Sequence, residues 1–562
     1  MAVRTKIDPF SAEIIRESLV AVAEEMFVSL QRTSQSTIIY EVLDFACGIT
    51  DEKAQLIAQT NGVTAFAGIL TFTVQSVLDK FGLAGIREGD IFCTNDPYTG
   101  GGTHLSDVAM VMPLFFEGKV LGFAANKAHW TEVGGKDAGS WTTDATEVFQ
   151  EGLQFPCVRL YIDNQPLPSL VDMIRANVRT PDMSLGDMYA QAAGLRMAAR
   201  RFEEMCSKHG AEQVKAGIDY LLEQGERQVR LDMQKLPKGT FYAEDFIDDD
   251  GLSEDPIPIK VKVTISDTDF IADFTGSGPQ ARGPINCTRT GLMGGMRTIF
   301  KAITNPDTPV NEGGFRPLSV ICPEGNVFSA VRPAPVSTYW ETLLNSVDLV
   351  WKALAPHMPE RMTAGHFLSV CGLILAGPHS DTGELSILVE PQAGGWGAGA
   401  DKDGESGLVC AGDGETYIIP AEVCEQKYGI AVDQYALNPQ DAGAGEFRGG
   451  LGLVRDYRVL GDEGMFLTAT FGRFKYPPWG VAGGQSGSPN YVEVIRADGS
   501  PPQRFGKGAR VHLRKGDIAR LITGTGGGWG EPRKRAREKV LTDLKEGYIS
   551  ERAARETYGQ QP

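Results

Sequence analysis

No two of the nine cysteines (47, 93, 157, 206, 287, 322, 371, 410 and 424) form a C-x-x-C pair. That excludes a zinc ribbon and a dithiol redox motif, and it is the scattered pattern of reduced thiols in a cytoplasmic protein. No uncharged apolar run reaches the roughly 18 residues of a membrane span, and residues 1–20 lack the apolar core of a signal peptide. Positive charge is in deficit: 54 Lys and Arg against 72 Asp and Glu leave a net charge of −18. A nucleic-acid binder needs a basic face, so nucleic acid is not an expected partner. No G-x-x-x-x-G-K-[ST] phosphate loop and no G-x-S-x-G elbow occurs. The run GTGGGWG at 524–530 has the glycines of a dinucleotide fingerprint without its strand–helix frame or distal acid, and is expected to be a loop.

Glycine, by contrast, is abundant at 67 of 562 residues, and 42% of the chain is hydrophobic. The first implies many tight turns, the second a large core. Asp8 and Pro9 open a helix over 8–33, with Ile14, Ile15, Leu19, Val22, Met26 and Leu30 at helical spacing. Residues 37–59 alternate as short strands, and 66–82 reads as one helix. Residues 90–126 are strand-rich, with EGK at 117–119 as a hairpin turn. Helices are expected over 168–235, 289–303 and 338–357, strands over 240–275, and Gly-rich strands and loops over 366–530. The sum is a mixed α+β protein without regular βαβ alternation. It divides into an N-terminal region (1–167), a helical block (168–237), a strand-rich substrate or interface region (238–530) and a helical tail (531–562). That basic tail reads as a solvated charged helix pair. Trp396, in GGWGAGADKDG, reads as an aromatic packed within a glycine turn.

Histidine is scarce, at seven residues. Two of the seven fall in the segment richest in glycines and acids, in NDPYTGGGTHLSDV and NKAHWTEVGGKD. His104 and Asp107 stand three apart at the mouth of a predicted strand, and His129 ends the next strand of the same hairpin. A lone His-x-x-Asp is most often a hydrogen-bonded surface pair. Two imidazoles and a carboxylate returned to one point are instead a mixed N/O donor set suited to Zn²⁺, Mn²⁺ or Fe²⁺. Asp44, Asp96, Glu132 and Asp137 are the candidate fourth ligands. Asp44 lies in the apolar run YEVLDFACGITD, where an unpaired carboxylate is costly.

Six ordered stretches, NDPYTGGGTHLSDV, ANKAHWTEVGG, TEVFQEGLQFP, DFTGSGPQARGPIN, RPAPVS and TGTGGGWGEP, resemble the signatures of the hydantoinase B/oxoprolinase family. The resemblance runs from about residue 8 to 558. Family members include the B-type components of ATP-dependent hydantoinases, the C-terminal half of 5-oxoprolinase, caprolactamase, and components of acetone and acetophenone carboxylases. The resemblance implies metal ligands at Asp44, His104, Asp107 and His129. It also implies a hydantoinase A-type partner that uses ATP and Mg²⁺ to phosphorylate the substrate, with a small accessory subunit in some complexes.

Two departures stand out. Hydrolytic members often carry His-His where this chain has His129-Trp130, and an H-x-P-x-H stretch where it reads GVTAFAGIL. Fewer imidazoles mean fewer general bases, and an aromatic beside the metal would exclude water. The length is also nearer the acetophenone carboxylase subunit than the acetone carboxylase one. These features favour carboxylation of a ketone enol phosphate to a β-keto acid, with Trp130 walling the site and Glu132, Asp96 or Asp137 as neighbouring acid or base. ATP-dependent opening of a cyclic amide is the second expectation, and a non-catalytic scaffold the third.

Overall fold

The structure is a computed structural model that describes residues 7–438 and 440–560. Residues 1–6, 439 and 561–562, which include both ends of the expected regions, lie outside the described residues. The first helix runs over Pro9–Thr33, and the Asp8 carboxylate accepts the Phe10 and Ser11 N–H groups as its N-cap. It buries Ile15, Leu19, Val22, Met26 and Leu30, while Ile14 stays exposed. Among the described residues no helix is long and apolar enough to cross a membrane.

Residues 45–166 carry a seven-stranded sheet. Its strands are β1 (Phe45–Asp51), β2 (Leu56–Gln59), β3 (Ile91–Thr94), β4 (Asp107–Phe116), β5 (Lys119–His129), β6 (Val158–Ile162) and β7 (Gln165–Pro166), in the order β2-β1-β5-β4-β3-β6-β7. Every pairing is antiparallel. The sheet is covered on both faces, so β4 and β5 read as apolar runs rather than as alternating ones. On one face lies the helix Leu70–Phe81, packed through Val74 and Val77 against Val111, Phe123 and Ala125. On the other lies Pro181–His209, whose Gln191 amide donates to the Val108 carbonyl and to Asn126.

The helical block resolves into Pro168–Asn177, Pro181–His209 and Ala211–Met233. Beyond it are two four-stranded sheets and one five-stranded sheet. One four-stranded sheet carries a parallel pair, Phe270–Asp273 with Leu318–Ile321. Helices Arg289–Thr304 and Trp340–Leu354 pack between the sheets, and the tail forms Arg537–Lys545 and Glu551–Glu556. One contiguous apolar core links side chains from Ile15 to Trp529.

Three local expectations are corrected. Residues 37–40 form a helical turn, not a strand. The Asp187 carboxylate accepts the Gln35 and Ser36 N–H groups and turns the chain there. The helix expected over 66–82 is broken into Thr64–Ala67 and Leu70–Phe81. The Arg297 guanidinium takes the Gly68 carbonyl at 3.0 Å, removing an acceptor that a continuous helix would use. A further helix, Ala421–Tyr428, lies inside the Gly-rich region. The GTGGGWG stretch is a loop, as expected. Its backbone is packed so tightly that a Cβ on Gly526 would sit 2.0 Å from the Trp396 carbonyl oxygen. Trp396 is held within that packing, its indole N–H donating to the Val409 carbonyl.

Candidate metal centre

The β4–β5 hairpin turns at Glu117 and Gly118, both at positive φ, and its register places Asp107 directly opposite His129 at the open end. The turn and the period-2 alternation of strands thereby bring the two side chains together. His104, in the loop entering β4, completes the group. One ligand atom from each of His104, Asp107 and His129 lies within 4.8 Å of the others, and all three residues are buried. The two imidazole centroids are 5.1 Å apart.

The tautomer of His104 is fixed by its surroundings. Nδ1 lies 3.0 Å from the Ser337 carbonyl, which accepts its proton, and Nε2 lies 3.0 Å from Asp107 Oδ1. Glu151 holds that carbonyl in place by accepting the Val336 and Ser337 N–H groups at 2.7 and 2.9 Å. A neutral His104 therefore faces Asp107 with a lone pair, an arrangement satisfied by a proton or by a shared cation. The other carboxylate oxygen of Asp107 accepts from Thr103 Oγ1 and from the Tyr339 hydroxyl, the latter at 3.2 Å. His129 Nδ1 is buried without a hydrogen-bond partner among the described residues. Two oriented imidazoles, one with an orphaned nitrogen, and an acceptor-rich carboxylate fit a divalent cation of the Zn, Mn or Fe type.

Asp44 precedes β1, and its carbonyl accepts the His129 N–H at 3.1 Å. It lies outside the compact three-residue group but borders the same cavity, of about 60 Å³. Burial, with Asp107 and Asp413 nearby, pushes its carboxyl well above the usual range. Asp107 goes the other way: burial raises its carboxyl, but His104, Lys127 and His129 together outweigh burial and hold it below the usual range. Burial and the neighbouring His104 depress the His129 imidazole to about 3.

The other expected site residues lie elsewhere. Trp130 is turned from the cavity, because successive residues of a strand face opposite sides. Its indole N–H donates to Gln191 Oε1 at 2.7 Å, and its ring packs against Phe155. Glu132 is spent on a loop, accepting from the Gly134 and Gly139 N–H groups, Ser140 and Arg179. Asp96 accepts from Tyr98 N–H, Thr99 and Arg332. Asp137 is bound by Arg510 at 2.7 Å through each oxygen. None of the four lines the cavity.

Its wall instead includes Trp141, Tyr339, Trp340 and Asp413, which come from distant parts of the chain. Lys127 also escapes a reading by motif. It is fully buried beneath the site, donating to the Gly101 carbonyl at 3.0 Å and to Thr103 Oγ1 at 3.1 Å. Burial lowers its ammonium to about 8, against the pull of Asp107 and Asp44. A lysine inside the apolar strand AANKAH is the one sequence signal that pointed to it, since it requires a buried anion.

The fold and site together define a carrier of a buried two-histidine centre at the mouth of a β-hairpin. Residues 8–532 match the hydantoinase B/oxoprolinase family, and the chain belongs to it. It is 30% identical over 586 residues to the B-type component of a putative D-/L-hydantoinase of Pseudomonas sp., covering 99% of this chain and 95% of that one. The crystal structure of ATP-dependent caprolactamase from Pseudomonas jessenii superimposes with a TM-score of 0.92 at 25% identity, covering 99% of this chain and 97% of that chain. A nucleotide-free acetone carboxylase structure shares the fold, with a TM-score of 0.89 at 19% identity over 98% of this chain and 79% of that chain.

Proposed function

We propose that this chain is the B-type component of an ATP-dependent complex and that its His104–Asp107–His129 centre, with Asp44, binds a divalent cation beside the substrate. The observation that carries the reading is the under-compensated donor set opening on an aromatic-walled cavity. In this reading ATP and Mg²⁺ belong to an A-type partner, joined in some complexes by a small accessory subunit. When bound, the cation supplies Lewis-acid polarisation of a carbonyl or phosphoryl oxygen. Glu151 and Ser337 orient His104, Thr103 and Tyr339 orient Asp107, and Trp141 and Trp340 keep bulk water out.

Within that reading, opening of a cyclic amide leads. Carboxylation was expected from an aromatic at Trp130 beside the metal, and that side chain faces the opposite side of the sheet. Full-length likeness to a hydantoinase component and to caprolactamase supports the amide reading. Ketone carboxylation is the second reading, favoured by the dry wall of Trp141, Tyr339 and Trp340. The chain should be co-purified with its A-type partner and assayed with ATP against hydantoin and ε-caprolactam, and against an aryl ketone with labelled bicarbonate. Bicarbonate-independent ring opening is the expected result; label fixed into a β-keto acid would reverse the order. A complex that turns over none of them, with wild-type chain that retains no divalent ion, would leave only the scaffold reading.

A further inference from the structure

The charges around the cavity restrict what can enter it. Four carboxylates line it, Asp44, Asp107, Asp413 and Glu390, and no lysine or arginine does. Glu390 is fully engaged by Arg455 at 3.2 Å, by Gln392, by the Ile419 N–H and by the Tyr457 hydroxyl. Lys127 is turned toward Gly101 and Thr103, behind Asp107. Asp44 and Asp107 together balance the two charges of the cation proposed above. Asp413 is the remaining carboxyl. No ion pair reaches it among the described residues, and its side-chain partner is the Cys410 thiol. Burial, with Asp107 nearby, raises its carboxyl to about 7. Around these groups the wall is apolar, with Phe66, Trp141, Trp340, Leu343 and Val389 among its members. The cavity, about 60 Å³, holds about two waters, so a ring that enters it must be small and sit partly in its mouth.

We propose, resting on the reading that this cavity receives an ATP-activated carbonyl compound, that it admits an uncharged ring or ketone and rejects one bearing a carboxylate, with Asp413 enforcing the rejection. A carboxylate entering this cavity loses its hydration, meets no lysine or arginine on the wall, and finds the charge of the proposed cation already balanced by Asp44 and Asp107. At about 6 Å and an effective dielectric of about 20, one ionised like charge disfavours binding by about 100-fold, a penalty that protonation of Asp413 caps at about tenfold at pH 8. The protonated form of Asp413 offers one hydrogen bond, which does not replace the missing guanidinium. A neutral lactam instead presents an N–H that Asp413 can accept and apolar carbons that the tryptophans cover.

2-Pyrrolidinone and 5-oxoproline share one five-membered lactam and differ by a carboxylate. Their binding to the full-length, Zn-loaded chain is read by ligand-observed NMR. At pH 8 the expected result is binding of 2-pyrrolidinone, with 5-oxoproline at least about tenfold weaker. Asp413→Asn should narrow that ratio about tenfold while Zn affinity stays within about threefold. Asp413→Ser serves the same purpose should the Asn variant fail to fold. Equal or tighter binding of 5-oxoproline, or no binding of the neutral ring, overturns the proposal, and an unchanged ratio in both variants removes Asp413 from it. This readout needs neither ATP nor a partner. A complex without ATP-dependent turnover would therefore refute the proposed function and leave the selectivity result standing.

Discussion

Two buried histidine–aspartate groups sit in this molecule, and they differ in how their charge is met. Around His366, Arg473 bonds Asp348 and reaches Asp245 at 3.0 Å. Trp479 donates to Asp348 at 2.9 Å, Lys352 donates to Asp245 at 3.1 Å, and His366 Nε2 accepts the Ala411 N–H. Two carboxylates face two cations, although Arg473 Nε has no partner among the described residues. Around His129, three carboxylates (Asp44, Asp107 and Asp413) gather with Lys127 as their cation, and His129 Nδ1 has no partner. Burial and residue type are shared, so neither marks a site. What distinguishes the hairpin group is its charge, three carboxylates to one lysine, a deficit that a bound cation would fill.

The largest expected effect tests the satisfied group. Arg473→Met strands Asp348 and Asp245 in the core and should cost about 3–5 kcal/mol in urea unfolding. A loss below about 1 kcal/mol would mean that the two groups are not so different. The counterpart is His129→Ala, expected to weaken Zn²⁺ binding at least about 100-fold by calorimetry, more than the loss of an outer partner. His366→Ala should leave that binding intact, and a parallel loss would erase the distinction.

Acid sharpens the contrast further. Burial, helped by the Arg473 charge, lowers the folded-state His366 imidazole to about 3, below its unfolded value of about 6.5. Between those values the unfolded chain holds the extra proton, so stability rises with pH and falls as pH drops from about 6.5 toward 3. His366→Gln should flatten that slope by up to about 1.4 kcal/mol per pH unit, measured by denaturation across the window. The smallest effect belongs to Trp130→Phe. It orphans Gln191 Oε1 and should cost about 1–2 kcal/mol of stability, while Zn²⁺ affinity stays unchanged. A change in affinity would return Trp130 to the site.

What could be read from the sequence followed chain proximity. Asp8, Pro9 and the apolar spacing that follows mark the first helix, because caps and periodicity are local. His104, Asp107 and His129 were within reach for the same reason, since one hairpin carries all three. Asp44 was one of four candidate carboxylates by chemistry, and choosing it took the family resemblance, because only the β1–β5 pairing brings it near. Asp413 and Tyr339 were not legible. Each sits in an unremarkable stretch, AGDGE or VSTYWE, and gains its meaning only when remote segments close over the hairpin. Trp130 shows the reverse error: adjacency in a strand means opposition in space. The break at Gly68 was likewise hidden, since it depends on Arg297 reaching a carbonyl from another helix.

The hairpin register has one more consequence. Asp107 and His129 meet at the end farthest from the turn at Glu117 and Gly118, so the turn acts as a counter whose error is read out a whole strand away. Deleting one residue there touches no ligand and removes no core side chain. It would nonetheless bring Trp130 to face Asp107 in place of His129, leaving the centre blind to its ion. The capacity to hold a cation is therefore a property of strand alignment as much as of the residues that do the holding.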